Sequence, residues 1–392
     1  MFYYISFLRP PPTASSTHTS LLITPQIAND LRTETCPNAH DIYYSWLPSA
    51  GLKPQKLTSW NPKNPYPKPV PVPLPSPLVL GKTYTLALSC NGSPVVPLTN
   101  VSANPLPFPV LSKPVRFYQG REEIKKQEQI DRIYTLVEKD RIIVSEQTSF
   151  DLDKKIWDSG IGLSAWLTDL YQDRSEERHQ EPLVKKLRDI LFAPERVDII
   201  ELGAGTGIVS LVVAALRYRL LRPQNSHHDD LPQDPSPSTI EPGRIIITDL
   251  DSAIPLLEEN IKKNAALFDI VKPEAVVLDW DRCDEFQADD ALPTAWDVIL
   301  MADVTYNTSS FPALLRTLSS LLKPAPLALD RPTPLVLMGY KQRDPSEREL
   351  FQNAKDKLGI EFVRVGSVPG WRGSGENGGN EEEAVEVWLA GG

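Results

Sequence analysis

The residues best placed to do chemistry stand in Val197-Asp-Ile-Ile-Glu-Leu-Gly-Ala-Gly-Thr-Gly-Ile208, an apolar run that leads through Glu201 into a Gly-x-Gly-x-Gly turn. Gly203, Gly205 and Gly207 let the backbone turn sharply and come close to a ligand. A dinucleotide fingerprint asks for Gly-x-Gly-x-x-Gly in front of a helix that faces a pyrophosphate, but here the sixth position is Ile208. Glu201, just before the turn, suits a ligand with a cationic amino group better than one with phosphates. Downstream, Arg244-Ile-Ile-Ile-Thr-Asp249 ends in an acid able to accept hydrogen bonds from both hydroxyls of a ribose. S-adenosylmethionine combines an adenosine and an amino group with no phosphate, and is the ligand these residues suit.

These groups need strands to hold them. Val197 to Leu202, Arg244 to Asp249, Ala275 to Trp280, Trp296 to Ala302 and Leu335 to Tyr340 read as buried strands. Helices are expected over Ile208 to Leu220, Ser252 to Asn264, Phe311 to Leu322 and Ser346 to Leu358, and the alternation is that of a largely parallel sheet covered on both faces. Glu361 to Val365 and Ala384 to Leu389 are joined by a Gly, Asn and Glu-rich stretch with no crossover helix, so they are expected to pair antiparallel. The distance from the glycine turn to Asp249 exceeds the ~20 residues of the dinucleotide fold. A polar, proline-rich insertion, Arg222 to Ser238, accounts for the excess; its His227, His228, Asp229 and Asp230 are adjacent residues of a loop, a poor basis for a metal site.

Five parallel strands closed by an antiparallel hairpin resemble the class I methyltransferase sheet: an α/β, Rossmann-like, seven-stranded and mostly parallel arrangement. The glycine turn, Asp249, Leu278-Asp-Trp280 and Ala302-Asp-Val-Thr-Tyr306 resemble, more narrowly, the seven-β-strand protein methyltransferases of family sixteen. Those are mostly lysine methyltransferases that act on elongation factors and chaperones. Lys155-Ile-Trp-Asp-Ser-Gly-Ile-Gly-Leu-Ser-Ala-Trp-Leu167 is similar to the tryptophan-led segment by which they enter the first core helix. The likeness spans about residues 150 to 392 and implies that Trp157, Gly203, Ala204, Gly205, Asp249, Trp280 and Ala302 contact S-adenosylmethionine. Each residue also has a plainer role open to it: the tryptophans as core aromatics, Asp249 as a helix cap, although Asp251 and Ser252 stand ready for that.

The resemblance makes Asp303 and Tyr306 the catalytic pair, at the end of the fourth strand. Methyl transfer from a sulfonium is a direct displacement that needs a neutral nucleophile held in line. A lysine ammonium, with an ordinary pKa of ~10.4, must first lose its proton. Asp303 would orient the amine, and the aromatic face of Tyr306 would favour the cationic substrate and product. The competing reading has Asp303 capping the next helix and Tyr306 packing on the sheet.

Composition bounds the partners. A net charge of −10 argues against a nucleic-acid substrate and leaves a protein or a small molecule as acceptor. A non-catalytic binding module on the same fold is a further alternative, and a nicotinamide-dependent oxidoreductase is disfavoured by Ile208. Cys36, Cys90 and Cys283 are odd in number and widely spaced, which suggests neither disulfides nor a zinc site. Met1 to Leu8 lacks a basic leader and reads as a first strand, and no stretch reaches the ~18 apolar residues of a membrane span. A monomer of the cytoplasm, or also of the nucleus, is expected.

Residues 1 to 145 form a proline-rich N-terminal extension, read as a small irregular β region beside a methyltransferase domain at 146 to 392. Its role is either recognition of a protein substrate or structural support. Pro62 to Pro77 and Pro105 to Pro114 are expected to be extended and unable to join the middle of a sheet. Lys82 to Cys90 alternates like a strand before the Asn91-Gly92 turn. Ile124, Ile130, Ile133 and Leu136 recur at helical spacing, so Arg121 to Asp140 is expected to be an amphipathic bridging helix.

Overall fold

The computed structural model describes residues 1–48, 51–65, 67–120, 123–149, 152–172, 181–222, 241–283, 286, 291–323, 332–370 and 384–391. The insertion after Arg222, with its four candidate metal ligands, and the Gly, Asn and Glu-rich stretch before Ala384 lie outside them. Two compact units are present, Met1–Ile161 with Val368–Val385, and Gly162–Ser367 with Glu386–Gly392. The first unit thus runs on past residue 145 and takes in a segment from near the C-terminus. Among the described residues no helix is long and apolar enough to cross a membrane.

The first unit is all β. Its strands are β1 (Tyr4–Phe7), β2 (Ala14–Ser16), β3 (Leu21–Ile23), β4 (Pro25–Ala28), β5 (His40–Leu47), β6 (Gln55–Trp60) and β7 (Val70–Val72). They continue with β8 (Thr83–Ser89), β9 (Val95–Pro97), β10 (Val110–Ser112), β11 (Val115–Tyr118), β12 (Gln129–Thr135) and β13 (Arg141–Gln147). The main sheet runs β13-β12-β10-β8-β11-β2, with β5, β6 and β9 paired onto it, and β1-β4 and β3-β7 form two small ribbons. Ile5, Ile27, Trp60, Leu86, Val110 and Phe117 are central to its core.

Two expectations for this unit fail, each for a physical reason. The helix over Arg121 to Asp140 is not formed: Gln129 to Thr135 is strand β12, antiparallel to β13 along its whole length. Ile130, Arg132 and Tyr134 are buried and alternate with half-buried Gln129, Asp131, Ile133 and Thr135, a period of two that a charged residue on the buried face conceals. Arg132 is accommodated there because its Nε donates to Glu146 Oε1 at 2.8 Å and its Nη1 to the carbonyls of Pro109 at 2.7 Å and Ile5 at 3.2 Å. The second failure is Pro105 to Pro114, which does enter the sheet. β10 can lie between β8 and β12 because Pro109 and Pro114 only flank it, leaving between them four residues with backbone N–H groups, three of which form the strand.

The opening residues of this unit bond to the start of its α-helical turn. Asp158, fully buried, begins α1 (Asp158–Gln172) and accepts from the Phe2 N–H at 2.9 Å and the Tyr4 hydroxyl at 2.8 Å. The Asp158 N–H donates to Asp30 Oδ2 at 3.1 Å. Burial, and then the Asp158 charge, raise the Tyr4 pKa well above its ordinary value, which keeps the phenol a donor.

The second unit alternates strand and helix: α2 (Pro182–Leu191), β14 (Ile199–Leu202), α3 (Ile208–Leu221), β15 (Ile245–Asp249), α4 (Ile254–Lys263), β16 (Glu274–Val277) and β17 (Val298–Ala302). After these come α5 (Phe311–Leu321), β18 (Leu335–Tyr340), α6 (Glu349–Leu358), β19 (Val363–Val368) and β20 (Val385–Ala390). The sheet order is β16-β15-β14-β17-β18-β20-β19. The first five strands are parallel, and β20 runs antiparallel to β18. Every residue of β14, β15 and β18 is buried, as expected for strands covered on both faces. The order reverses between β14 and β17, and at such a switch point the crevice at the carboxyl ends of the strands is the natural ligand site.

The buried ion pair on β12 yields a stability prediction. Arg132 and Glu146 side chains are 4% and 9% exposed, so Arg132→Met should leave a buried carboxylate without its cation and cost ~3–5 kcal/mol. Denaturant unfolding followed by tryptophan fluorescence measures it, and Arg132→Met with Glu146→Leu should recover part of the loss. A single mutant as stable as the parent would contradict the assignment.

Candidate active site

The carboxyl ends of β14, β15 and β17 meet at the glycine turn. Gly203, Gly205 and Gly207 all have positive φ, at 61°, 59° and 75°. A Cβ on Gly203 would lie 3.1 Å from the Trp280 ring and 3.3 Å from Val304, and one on Gly207 would lie 2.9 Å from Leu257. The turn is pinned from below: Ala204 N–H donates to the Thr248 carbonyl at 3.0 Å, and Asn260 Nδ2 to the Thr206 carbonyl at 3.0 Å.

Asp249 ends β15 and reaches the turn directly. Its Oδ2 accepts the Gly205 N–H at 2.7 Å and its Oδ1 accepts the Leu250 N–H at 2.7 Å. A carboxylate only accepts, through about four lone-pair sites, which is the chemistry that the hydroxyls of a ribose ask of a partner. The cap expected of Asp251 and Ser252 is not made: both lie inside a short 3₁₀ turn, Asp251–Ala253, whose N-cap is Leu250 without a side-chain bond.

Glu201 faces inward, 1% exposed, and its Oε2 accepts the Ser210 N–H at 3.0 Å. Ser210 is the third residue of α3, so Glu201 occupies the electropositive end of the helix. A phosphate placed there would meet a negative charge where a dinucleotide fold offers bare N–H groups. Burial pushes the Glu201 carboxyl up to about 7, with Asp249 adding to the rise and the Ser210 hydrogen bonds opposing it. This donor set, two acids and a tight turn of backbone, fits an adenosine that carries a cationic amino acid, and it does not fit a pyrophosphate.

Trp280 follows β16 in a 3₁₀ turn, Trp280–Arg282, beyond the strand's last residue Val277. It is partly buried, packs on the core of the unit and lies against Gly203. Ala302 is the last residue of β17, paired with Gly339 of β18. Trp157 belongs to the first unit and directly precedes the buried Asp158.

Asp303 has φ of 59°, a left-handed conformation that costs a non-glycine residue energy. Its Oδ2 accepts Arg343 Nη2 at 2.8 Å, and the two side chains are 8% and 15% exposed. It does not cap the following helical turn, since the Asn307 side chain does so by accepting from the Ser309 N–H. Tyr306 is 57% exposed and is no core residue. Arg343 N–H donates to Glu347 Oε2 at 3.3 Å, and the Thr305 hydroxyl lies 3.5 Å from that same oxygen. Burial raises the Glu347 pKa, with the Arg343 N–H opposing and the Asp303 charge adding. Sequence reasoning overlooked Arg343, Glu347, Thr248 and Asn260. For Arg343 a signal existed, namely a basic residue just beyond the carboxyl end of a parallel strand, where ligands bind.

A family model described as lysine methyltransferase matches residues 136–357. Protein-lysine N-methyltransferase EFM6 of Saccharomyces cerevisiae is 27% identical over 211 residues, 52% of this chain and 73% of that protein. EEF1A lysine methyltransferase 3 of Xenopus tropicalis is 28% identical over 126 residues, 32% of this chain and 42% of that protein, so the matched part is less than half of the frog relative. Among solved structures, the O-methyltransferase TomG from Streptomyces achromogenes, in complex with SAM, aligns with a TM-score of 0.32 at 14% identity, over 53% of this chain and 76% of that one.

Two predictions follow from the turn. Asp249→Ala should weaken S-adenosylhomocysteine binding more than tenfold in calorimetry, because hydrogen bonds to a charged group are worth ~1.5–3 kcal/mol each. Unchanged affinity in a folded variant would remove Asp249 from the site. The second concerns Glu201, whose folded pKa of about 7 lies above the ordinary 4.5. Between those values the folded state binds the extra proton, so stability falls as pH rises from about 4.5 to 7 and is level above. Glu201→Gln should lack this component, and the wild type should lose a few kcal/mol relative to it between pH ~5 and ~8. Parallel pH curves for the two proteins would contradict the buried placement.

Proposed function

Because the chain belongs to the lysine methyltransferase family, with S-adenosylmethionine as its cofactor, we propose that its acceptor is a lysine side chain of a translation factor, EEF1A being the first candidate. The family match carries the reading, and the name of the frog relative points to EEF1A. The turn supports it, because Glu201 closes the end of α3 to a phosphate while Asp249 places an acceptor carboxylate against the Gly205 N–H, at the turn.

Each of the chain's groups has a distinct task in this reading. The cofactor supplies a methyl group on a sulfonium. Gly203, Ala204 and Gly205 bring backbone close to it, Asp249 takes the ribose hydroxyls, and Trp280 and Ala302 bound the remaining pocket. Glu201 sets a negative potential beneath the turn that favours the ligand's cationic end. Asp303 aligns the acceptor amine, and the exposed ring of Tyr306 offers its face to the lysine and its methylated product. No general acid or base is required beyond loss of the ammonium proton to water.

Radiolabelled S-adenosylmethionine should transfer label to lysine of purified EEF1A, or to a lysate protein band whose hydrolysate contains methyl-lysine. Label confined to the small-molecule fraction would favour a small-molecule N-methyltransferase, and no label despite S-adenosylhomocysteine binding would favour a binding module. Asp303→Asn tests the assignment of roles. It should keep S-adenosylhomocysteine affinity within a few-fold and slow single-turnover methylation by ~10² or more. Wild-type rates would remove Asp303 from the reacting centre, and equal losses of binding and rate would place it in the cofactor pocket.

A further inference from the structure

We infer that Arg343 is a positioning residue for the acceptor lysine: its guanidinium fixes the Asp303 carboxylate and, as a permanent cation beside the acceptor subsite, biases the bound lysine toward the neutral amine. The inference rests on the proposed reading of Asp303 and goes beyond it by naming what sets that residue's geometry and charge.

Three observations carry it. The Arg343–Asp303 contact is 2.8 Å between side chains only 15% and 8% exposed, so it is far less screened than a surface pair. Arg343 is itself held, since its backbone N–H donates to Glu347, a carboxylate 3% exposed that also takes the Thr305 hydroxyl at 3.5 Å. The segments after β17 and β18 are therefore tied twice, once through side chains and once through Glu347. Finally, Asp303 keeps an unfavourable φ of 59°, and strain of that kind persists only where surrounding contacts over-determine it.

The consequence for chemistry follows from charge. An isolated carboxylate would stabilise a lysine ammonium, which cannot attack a methyl group because its lone pair carries a proton. Pairing Asp303 with a guanidinium that does not deprotonate cancels most of that attraction while leaving carboxylate lone pairs to receive an amine N–H. Glu347 faces Arg343 from the 3₁₀ turn Pro345–Arg348, and Lys341, 5% exposed, stands between Arg343 and the last residue of β18, Tyr340. In the transfer the amine nitrogen, its one proton already lost to water, forms a bond to the methyl carbon as the carbon–sulfur bond breaks onto sulfur, and the product is the methylated ammonium.

Arg343→Gln and Arg343→Lys test this on the acceptor that the wild type labels, EEF1A or the lysate band, with rates taken from pH ~6.5 to ~10 at saturating S-adenosylmethionine. Arg343→Gln should bind S-adenosylhomocysteine within about twofold of wild type, hold KM for the acceptor level or lower it, and reduce kcat about tenfold or more near neutral pH. That deficit should shrink as pH rises, because the acceptor then loses its proton without help. Arg343→Lys, which keeps the charge, should keep the wild-type pH profile. A deficit equal at every pH, or wild-type kinetics in Arg343→Gln, would overturn the inference and leave the reading of function intact. A wild type that labels no lysine in either acceptor would overturn both.

Discussion

A carboxylate with almost no access to water must be supported by its surroundings, and the support given to Glu201 organises the whole site. It sits at the positive end of α3, where the Ser210 N–H meets it. The chain can reach that position only by turning through three glycines of positive φ, with Asn260 and Thr248 fastening the turn to α4 and β15. With the helix end filled from within, the crevice is left without its usual attraction for phosphate and with two acids at its floor. A ligand with hydroxyls and a positive charge is what remains.

The second half of the site is built on a different balance. Asp303 is drawn between a local conformation that costs energy and an ion pair that holds it, and the Glu347 contacts keep the partner in place. The exposed Tyr306 stands three residues on, at the same end of the sheet. One end thus binds by fixed backbone and acids, and the other presents a carboxylate whose charge is already mostly cancelled. Nucleophilic attack by an amine needs that difference, since binding favours the ammonium while the chemistry consumes the neutral form.

Much of the second unit was legible because its strands are covered on both faces. Runs such as Ile245 to Ile247 and Leu335 to Met338 carry no polar interruption, and the glycine turn marks its own place. In the first unit β8 is legible from its alternation, but β12 and β10 lie behind chemistry that periodicity does not read: Arg132 occupies a buried position because Glu146 and backbone carbonyls receive it, and β10 survives between two prolines by being only three residues long. Asp303 and Asp249 are candidates by type and position alone, whereas their contacts with Arg343 and the Gly205 N–H depend on packing that spacing does not encode. The role of Glu201 was seen as charge near a ligand, and its inward orientation toward α3 emerged only with the packed structure.

Ligand selectivity tests the central claim most directly, because it asks whether the buried acid and the glycine turn exclude phosphate. Calorimetric titration of the full chain with S-adenosylhomocysteine, and separately with a nicotinamide dinucleotide, is the measurement. The account predicts one site per chain for S-adenosylhomocysteine and no detectable heat of binding for the dinucleotide at the same concentrations. Comparable binding of the dinucleotide, or no binding of S-adenosylhomocysteine by the folded protein, would contradict it.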